Sequence, residues 1–437
     1  MVCVPLNVLD DLFLHLDHRE EPWVVHFEVR VDGRFDADRL AAAVDAAAAR
    51  HPMARARLSS RYAIDGRLRW EIADRLDAPL TIVECADEAA LAATREHLYG
   101  VSPSLAVAPP FTVVLAHASA GDALLLNLHH AAGDGVAAAR LMLSILRAYA
   151  GADDPLPPID PLRAHDVGVL AGAATPAERL ERRRDAWRES VERLRQPPAR
   201  VAREGGADRP GYGFELLALS AQEAQIVAGR RGADTTLNDV LLAGLAVTIE
   251  RWNSRHARPA ERIALTMPVN LRPTAWRRDV FANLASYTTV FVSGSACDDV
   301  RSALDPAAQR TRTIKEQGLA WEVVDRLQRQ GALPIAVRRM LPSLIPLTGN
   351  VVVDTASLSN LGVLGGFPPL GHGSGAVTEV WFSPPNRMPL GASFGVATFE
   401  GRLQLALRYR HAQFDGDAAR AFVRLYREIL VSAGGGT

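Results

Sequence analysis

Cysteine is scarce in this chain. Of 437 residues only Cys3, Cys85 and Cys297 carry a thiol, odd in number and far apart. That leaves neither a disulfide framework nor a metal-ligand spacing, and a thiol-reduced, cytoplasmic protein is expected. An excess of either charge is also missing. Lys and Arg together number 49 against 50 for Asp and Glu, giving a formal net charge of −1 and a pI near 6.9. No bulk attraction to nucleic acid or anionic lipid follows from that balance. Long apolar runs are absent too. The stretch "VLLAGLAVTI" (240–249) is far shorter than the ~20 residues a membrane-spanning helix needs. The N-terminus, "MVCVPLNVLDDLFLHLDHREEPW", has no basic region and soon turns acidic, unlike a signal peptide. There is no short tandem repeat.

What is present is the composition of a globular protein, 48% hydrophobic and 23% charged. The length exceeds one ordinary core and suits two lobes. "VVHFEVRV" (24–31) alternates apolar and polar residues as a half-buried strand does, and "DADRLAAAVDAAAARHP" (36–52) reads as a helix capped by Asp36 and closed by Pro52. "FTVVLAHA" (111–118) and "ALLLNLHH" (123–130) read as a hairpin, and helical spacing follows from Val136 to Tyr149. The Pro- and Asp-rich "GADDPLPPIDPL" (151–162) interrupts this order. "TPAERLERRRDAWRESVERLRQPP" (175–198) then forms a charged connecting helix, its arginines interleaved with acids. The expected division is an N-terminal lobe over 1–160, a connecting segment over 161–205 and a C-terminal lobe over 206–437. In the second half, 235–253 and 415–430 read as helices. Strands are expected at 263–272, 285–294 and 350–360, with a hairpin over 391–410 turning at Glu400-Gly401.

The chemistry concentrates in "LLLNLHHAAGDG" (124–135). Successive strand residues point to opposite faces, so His130 shares a face with Leu124, Leu126 and Leu128, and His129 with Leu125 and Asn127. Two imidazoles so separated do not reach one ion, and zinc requires three or four protein ligands. No metal is expected. The bland alternative is a pair of satisfied core histidines. Against it stands the run of small residues and glycines that follows, which lets another molecule approach the backbone. A neutral imidazole is also the natural general base near neutral pH.

The string "HHAAGDG" matches HHxxxDG and resembles the signature of the acyltransferase superfamily with the chloramphenicol acetyltransferase-like fold. That superfamily includes nonribosomal peptide condensation domains and wax-ester-synthase-like O-acyltransferases. The likeness extends through "HFEVRVDGRFDADRLAAAVDAAAARHPMARARL", with Met53-Ala54 where Leu-Arg is usual, and through "TTLNDVLLAGLA", "MPVNLRP…FANLASY", "SLSNLG" and the closing "LALRYRHAQFDGDAARAFVRLYREIL". It implies an α/β fold of two lobes in a V shape with an active-site tunnel between them. His130 is then the general base, His129, Asp134 and Gly135 hold the motif together, Arg272 pairs with Asp134, and Asn360 helps line the site. The reaction implied is transfer of an acyl group from a thioester to a hydroxyl or amine by a free-standing enzyme, in natural-product biosynthesis. No cofactor is bound; the donor rides on carrier-protein phosphopantetheine or on coenzyme A. The partners implied are an acyl or peptidyl carrier protein and a small-molecule acceptor. An acyl-CoA-dependent alcohol acyltransferase of lipid metabolism is the nearest alternative.

Other signals compete weakly. "GASFG" (391–395) fits the G-x-S-x-G hydrolase elbow, with Ser393 as nucleophile and His411 downstream, but a hairpin pattern follows where the elbow needs a helix. "PLGASF" lacks the helical bundle of a carrier protein, and "GHGSG" (371–375) reads as a flexible loop. His15 and His18 read as surface or helix-side residues. A non-catalytic recruitment module has no use for the second histidine of the motif, and no second acid–base element suggests an epimerase.

Overall fold

The computed structural model describes residues 2–60, 67–77, 79–156, 159–170, 175–207, 210–349 and 351–432. Pro157 and Pro158 of the Pro-rich segment and Asn350 of the expected strand lie outside them.

The fold is mixed α/β, built on two large sheets. The first is five-stranded, in the order Val377–Ser383, Val24–Val31, Gly121–His129, Phe111–Ala118, Leu80–Cys85. Phe111–Ala118 and Gly121–His129 form the expected antiparallel hairpin. Helices Ala37–Arg50 and Gly135–Ala150 pack on one face with Leu124, Leu126 and Leu128, and helix Glu88–Tyr99 covers the other with Leu125. The second sheet is six-stranded, in the order Ala285–Ser293, Arg262–Asn270, Ala356–Val363, Ala392–Phe399, Arg402–Arg410, Tyr212–Leu219. Its core is closed by helices Leu237–Arg255, Val300–Glu316 and Gly416–Val431. The hairpin between Ala392–Phe399 and Arg402–Arg410 turns at Glu400 and Gly401, both with positive φ (47° and 75°), as a tight two-residue turn requires. A small sheet of Val2–Pro5, Arg69–Ile72 and Ala56–Leu58 flanks the first core.

Three features depart from the sequence-based reading. Val24–Val31 is buried on both faces rather than one, because it is an inner strand covered by helices on each side. Of its polar residues, Glu28 is bidentate with Arg95 at 2.7 and 2.9 Å, whereas His26 stacks on Tyr99 at 3.6 Å with both ring nitrogens buried and without a hydrogen-bond partner among the described residues. The expected strand over 350–360 begins only at Ala356; the residues just before it are turns. Most consequentially, Val377–Ser383 comes from the C-terminal half yet pairs antiparallel with Val24–Val31. Residues Trp276, Phe281 and Leu284 likewise join the N-terminal core. The two halves of the chain are thus stitched by a shared sheet and a shared core. The connecting helix runs Pro176–Arg195, opened by a Thr175/Glu178 capping box. No helix among the described residues is long and apolar enough to cross a membrane.

Candidate active site

Strand Gly121–His129 ends where His129 N–H meets the Pro110 carbonyl at 3.0 Å. One residue on, the His130 backbone is fixed from both sides. Its N–H donates to the Trp23 carbonyl at 3.0 Å, and its carbonyl accepts from the Asn283 side-chain amide at 3.0 Å. The imidazole lies against the Phe13 ring, centroids 4.1 Å apart, and is only 9% exposed. Its Nδ1 is sealed inside the protein, which leaves Nε2 as the ring nitrogen available to a substrate. Burial pushes the imidazole down to about 4, against the opposing pull of backbone carbonyls and the Asp134 carboxylate. The ring is therefore neutral at ordinary pH, able to accept a proton.

Asp134 is the structural knot of the motif. Its Oδ1 caps helix Gly135–Ala150 by accepting from Ala137 N–H at 2.9 Å. Its two oxygens also meet the Arg272 guanidinium at 2.8 and 3.0 Å, and Oδ2 accepts from Leu284 N–H at 2.8 Å. The remaining Arg272 donors go to the carbonyls of Val280 and Ala282 and to Asn270 Oδ1. Both partners are buried, and a pair so placed is sound only when the other donors and acceptors are satisfied.

His129 points the other way. Its Nδ1 accepts from Ala131 N–H at 3.2 Å, which turns Nε2 toward Asp17 at 3.6 Å. Burial raises the Asp17 carboxyl, but His129, Ser102 and the Trp23 N–H outweigh it and hold the group below the usual carboxylate range. Gly135 is required by packing: a Cβ there would sit 2.7 Å from a ring carbon of Phe382, on the crossing strand.

His130, Asp134 and Gly135 line one cavity of about 580 Å³, together with Phe13, Trp23, Ser357 and Ser359. Asn360 is not on its wall. In Ala356–Val363 the alternation turns Ser357 and Ser359 to the cavity and Leu358 into the core; Asn360 follows Leu358, and its Oδ1 accepts from Gly362 N–H at 2.8 Å. Ser393 sits within strand Ala392–Phe399, fully buried, 2.9 Å from the Ser357 hydroxyl. No helix follows it, so the hydrolase elbow is not formed. "GHGSG" is a series of turns docked on the first core, where Ser374 Oγ meets Tyr149 Oη at 2.8 Å, rather than a flexible loop. Among the described residues no group of His, Cys, Asp or Glu is arranged to hold a metal ion.

Sequence reasoning did not single out Phe13, Asp17, Trp23 or Asn283 as parts of this site. Asn283 lies in the "FANLASY" block and was within reach of it; Asp17 and Phe13 are brought in only by the docking of helix Val8–Leu16.

A profile of the condensation domain matches residues 12–293. The chain is 38% identical over 434 residues to an uncharacterized protein of Mycobacterium tuberculosis, covering 98% of this chain and 99% of that one. It is 26% identical over 303 residues to tyrocidine synthase 3 of Brevibacillus parabrevis, which is 67% of this chain but 4% of that one. The first condensation domain of the calcium-dependent antibiotic synthetase, solved with a substrate analogue, matches with a TM-score of 0.72 at 15% identity, covering 100% and 98% of the two chains. The epimerization domain from the third module of tyrocidine synthetase B matches at 0.67 and 16%, covering 99% and 96%. At such identities these two structures speak for the fold, to which the chloramphenicol acetyltransferase-like architecture is fitted. The profile covers well over half of the sequence and the mycobacterial relative nearly all of it, and the chain belongs to the condensation-domain family.

Proposed function

We propose that the protein is a condensation-type acyltransferase, moving an acyl group from a thioester to a hydroxyl or amine with His130 as general base. The observation that carries this reading is a buried, neutral imidazole, anchored through its backbone on both sides, at the wall of a cavity of about 580 Å³.

In the reaction, Nε2 takes the proton from the acceptor O–H or N–H as its lone pair forms the new bond to the thioester carbonyl carbon. The carbonyl π pair moves onto oxygen. Collapse of that tetrahedral intermediate restores the C=O, breaks the C–S bond and sends the thiolate out, where it recovers the proton from the imidazolium. One group thus acts as base and then acid. Asp134 and Arg272 are positioning residues: they fix the loop and helix start that place His130, and their charges are already spent on each other. The donor is carrier-bound phosphopantetheine or coenzyme A, and the names of the synthetase relatives support a setting in natural-product assembly.

The test offers one acyl group as a CoA thioester and as a carrier-protein thioester, each with a panel of alcohols and amines. Thiol release and product mass are followed together. Ester or amide formation supports the reading and identifies the donor class; thioester binding with no product from either donor contradicts it.

A further inference from the structure

The cavity lined by His130 carries a cluster of apolar side chains from two helices. Leu12, Phe13 and Leu16 reach it from helix Val8–Leu16. Leu319, Val323 and Leu327 reach it from helix Leu319–Gln330, which packs on the first. These three recur at i, i+4 and i+8, so they form one stripe, running about 12 Å at 1.5 Å per residue. Phe13 is the residue whose ring packs, tilted, against His130, so the apolar lining starts at the reacting centre. Glu322, Arg326 and Gln330 of the same helix also line the cavity, and Ile345 and Val352 extend its apolar lining, Val352 being 54% exposed.

The rest of the lining is polar, with Glu322 contributed by the same helix as the apolar stripe, and its acids are occupied. Asp134 meets Arg272 at 2.8 Å, Asp185 meets Arg188 at 3.0 Å, and Asp354 meets Arg193 at 2.8 Å. Glu189 is held by Arg310 at 2.6 Å and Arg193 at 3.3 Å, and Glu322 by Arg329 at 3.4 Å. Each carboxylate of the lining is thus already paired within the chain. An α-ammonium group arriving on an aminoacyl or peptidyl donor meets no unpaired carboxylate among the described lining residues, which disfavours its desolvation.

Resting on the acyltransferase reading above, we propose that one substrate of this site carries a long, uncharged aliphatic chain, seated along the apolar lining that helices Val8–Leu16 and Leu319–Gln330 share. An extended chain covers roughly 1.2 Å per bond, so the Leu319–Leu327 stripe matches about ten carbons. The same lining serves a chain on the acyl donor or on the acceptor alcohol, and two arms of one experiment tell them apart.

In the first arm acetyl, octanoyl and dodecanoyl thioesters compete with glycyl and alanyl thioesters for one short acceptor. In the second, ethanol, octanol and dodecanol compete for one short acyl donor. In one arm kcat/KM rises about three- to fourfold per added CH₂ before levelling, and the aminoacyl donors fall below acetyl. Flat profiles in both arms, or a preference for glycyl or alanyl, overturn the proposal. Ile345→Trp, at the half-buried rim, shifts the optimum to shorter chains; an unshifted optimum counts against the assigned seat. Calorimetric binding of thioether and ketone analogues of the same series, and of the free alcohols, to wild type and to His130→Ala separates the two claims. Length-dependent binding without any turnover upholds the seat and removes the acyltransferase reading. Turnover without length dependence does the reverse.

Discussion

His130 is sealed in a neutral state, and its pH behaviour follows from that. Burial sets its folded-state pKa at about 4 against an ordinary 6.5, so the free base is present throughout the neutral range. The pH profile of kcat/KM should therefore be level on its acid side down to about pH 5 and fall only as His130 protonates near 4. An acid limb near 6.5 would show that the imidazole is better solvated than its burial indicates. Asp134 and Arg272 govern the same residue through structure. Arg272→Ala leaves a buried carboxylate unpaired, a loss of about 3–5 kcal/mol in urea unfolding. Activity at saturating substrate should fall no further than the folded fraction and the displaced loop explain. At this scale the sequence was most legible. The strand period separated the two imidazoles, and the motif likeness brought Asp134 and Arg272 together. It failed at Asn360, because "SLSN" puts polar residues on both sides of the strand. Only the insertion of Leu358 into the core decides which serines face the cavity.

Elements were legible where their signals are local. Thr175-Pro176 opens the connecting helix, Asp134 and Asp415 cap the helices after the two central hairpins, and Glu400-Gly401 turns the second hairpin. What local signals do not carry is partnership across hundreds of residues. Val377–Ser383 is the clearest case: no strand was expected there, and nothing in "VTEVWFS" says that Val24–Val31 is the neighbour. That partnership reaches the active site, because Phe382 lies on the crossing strand and fills the space a Cβ at Gly135 would occupy. Gly135→Ala should thus destabilise by about 1–3 kcal/mol through overpacking and lower kcat. Adding Phe382→Leu, which removes the ring, should recover part of both in thermal melts and assays. If the double variant is worse than the sum of the singles, the contact is not the cause.

The whole molecule concentrates neutral histidines in its interior. His130 is held at about 4 and His51 at about 3, both chiefly by burial, and burial with the nearby Arg408 charge holds His26 well below its ordinary value. Folded-state values lie below the ordinary 6.5, so the unfolded chain binds protons first as pH falls. Stability contributed by keeping these rings neutral is full above about 6.5 and drains toward the folded values near 4 and 3. The melting temperature should accordingly decline from neutral pH to pH ~5, and His51→Gln should make that decline shallower. An unchanged slope in that variant would remove His51 from the cause. Length and the Pro-rich break suggested a two-lobe division; the shared sheet and the shared core tie the two halves of the chain together in a way no composition shift reveals.

The central claim is that His130 moves the proton while its surroundings only hold it in place. The most direct measurement is single-turnover acyl transfer by wild type and His130→Ala, with melting temperature and thioester binding checked on the same samples. The expected result is a loss of roughly 10²–10⁴-fold in the transfer rate with binding and the fold retained. Transfer at the wild-type rate by a folded, thioester-binding His130→Ala protein would contradict the assignment.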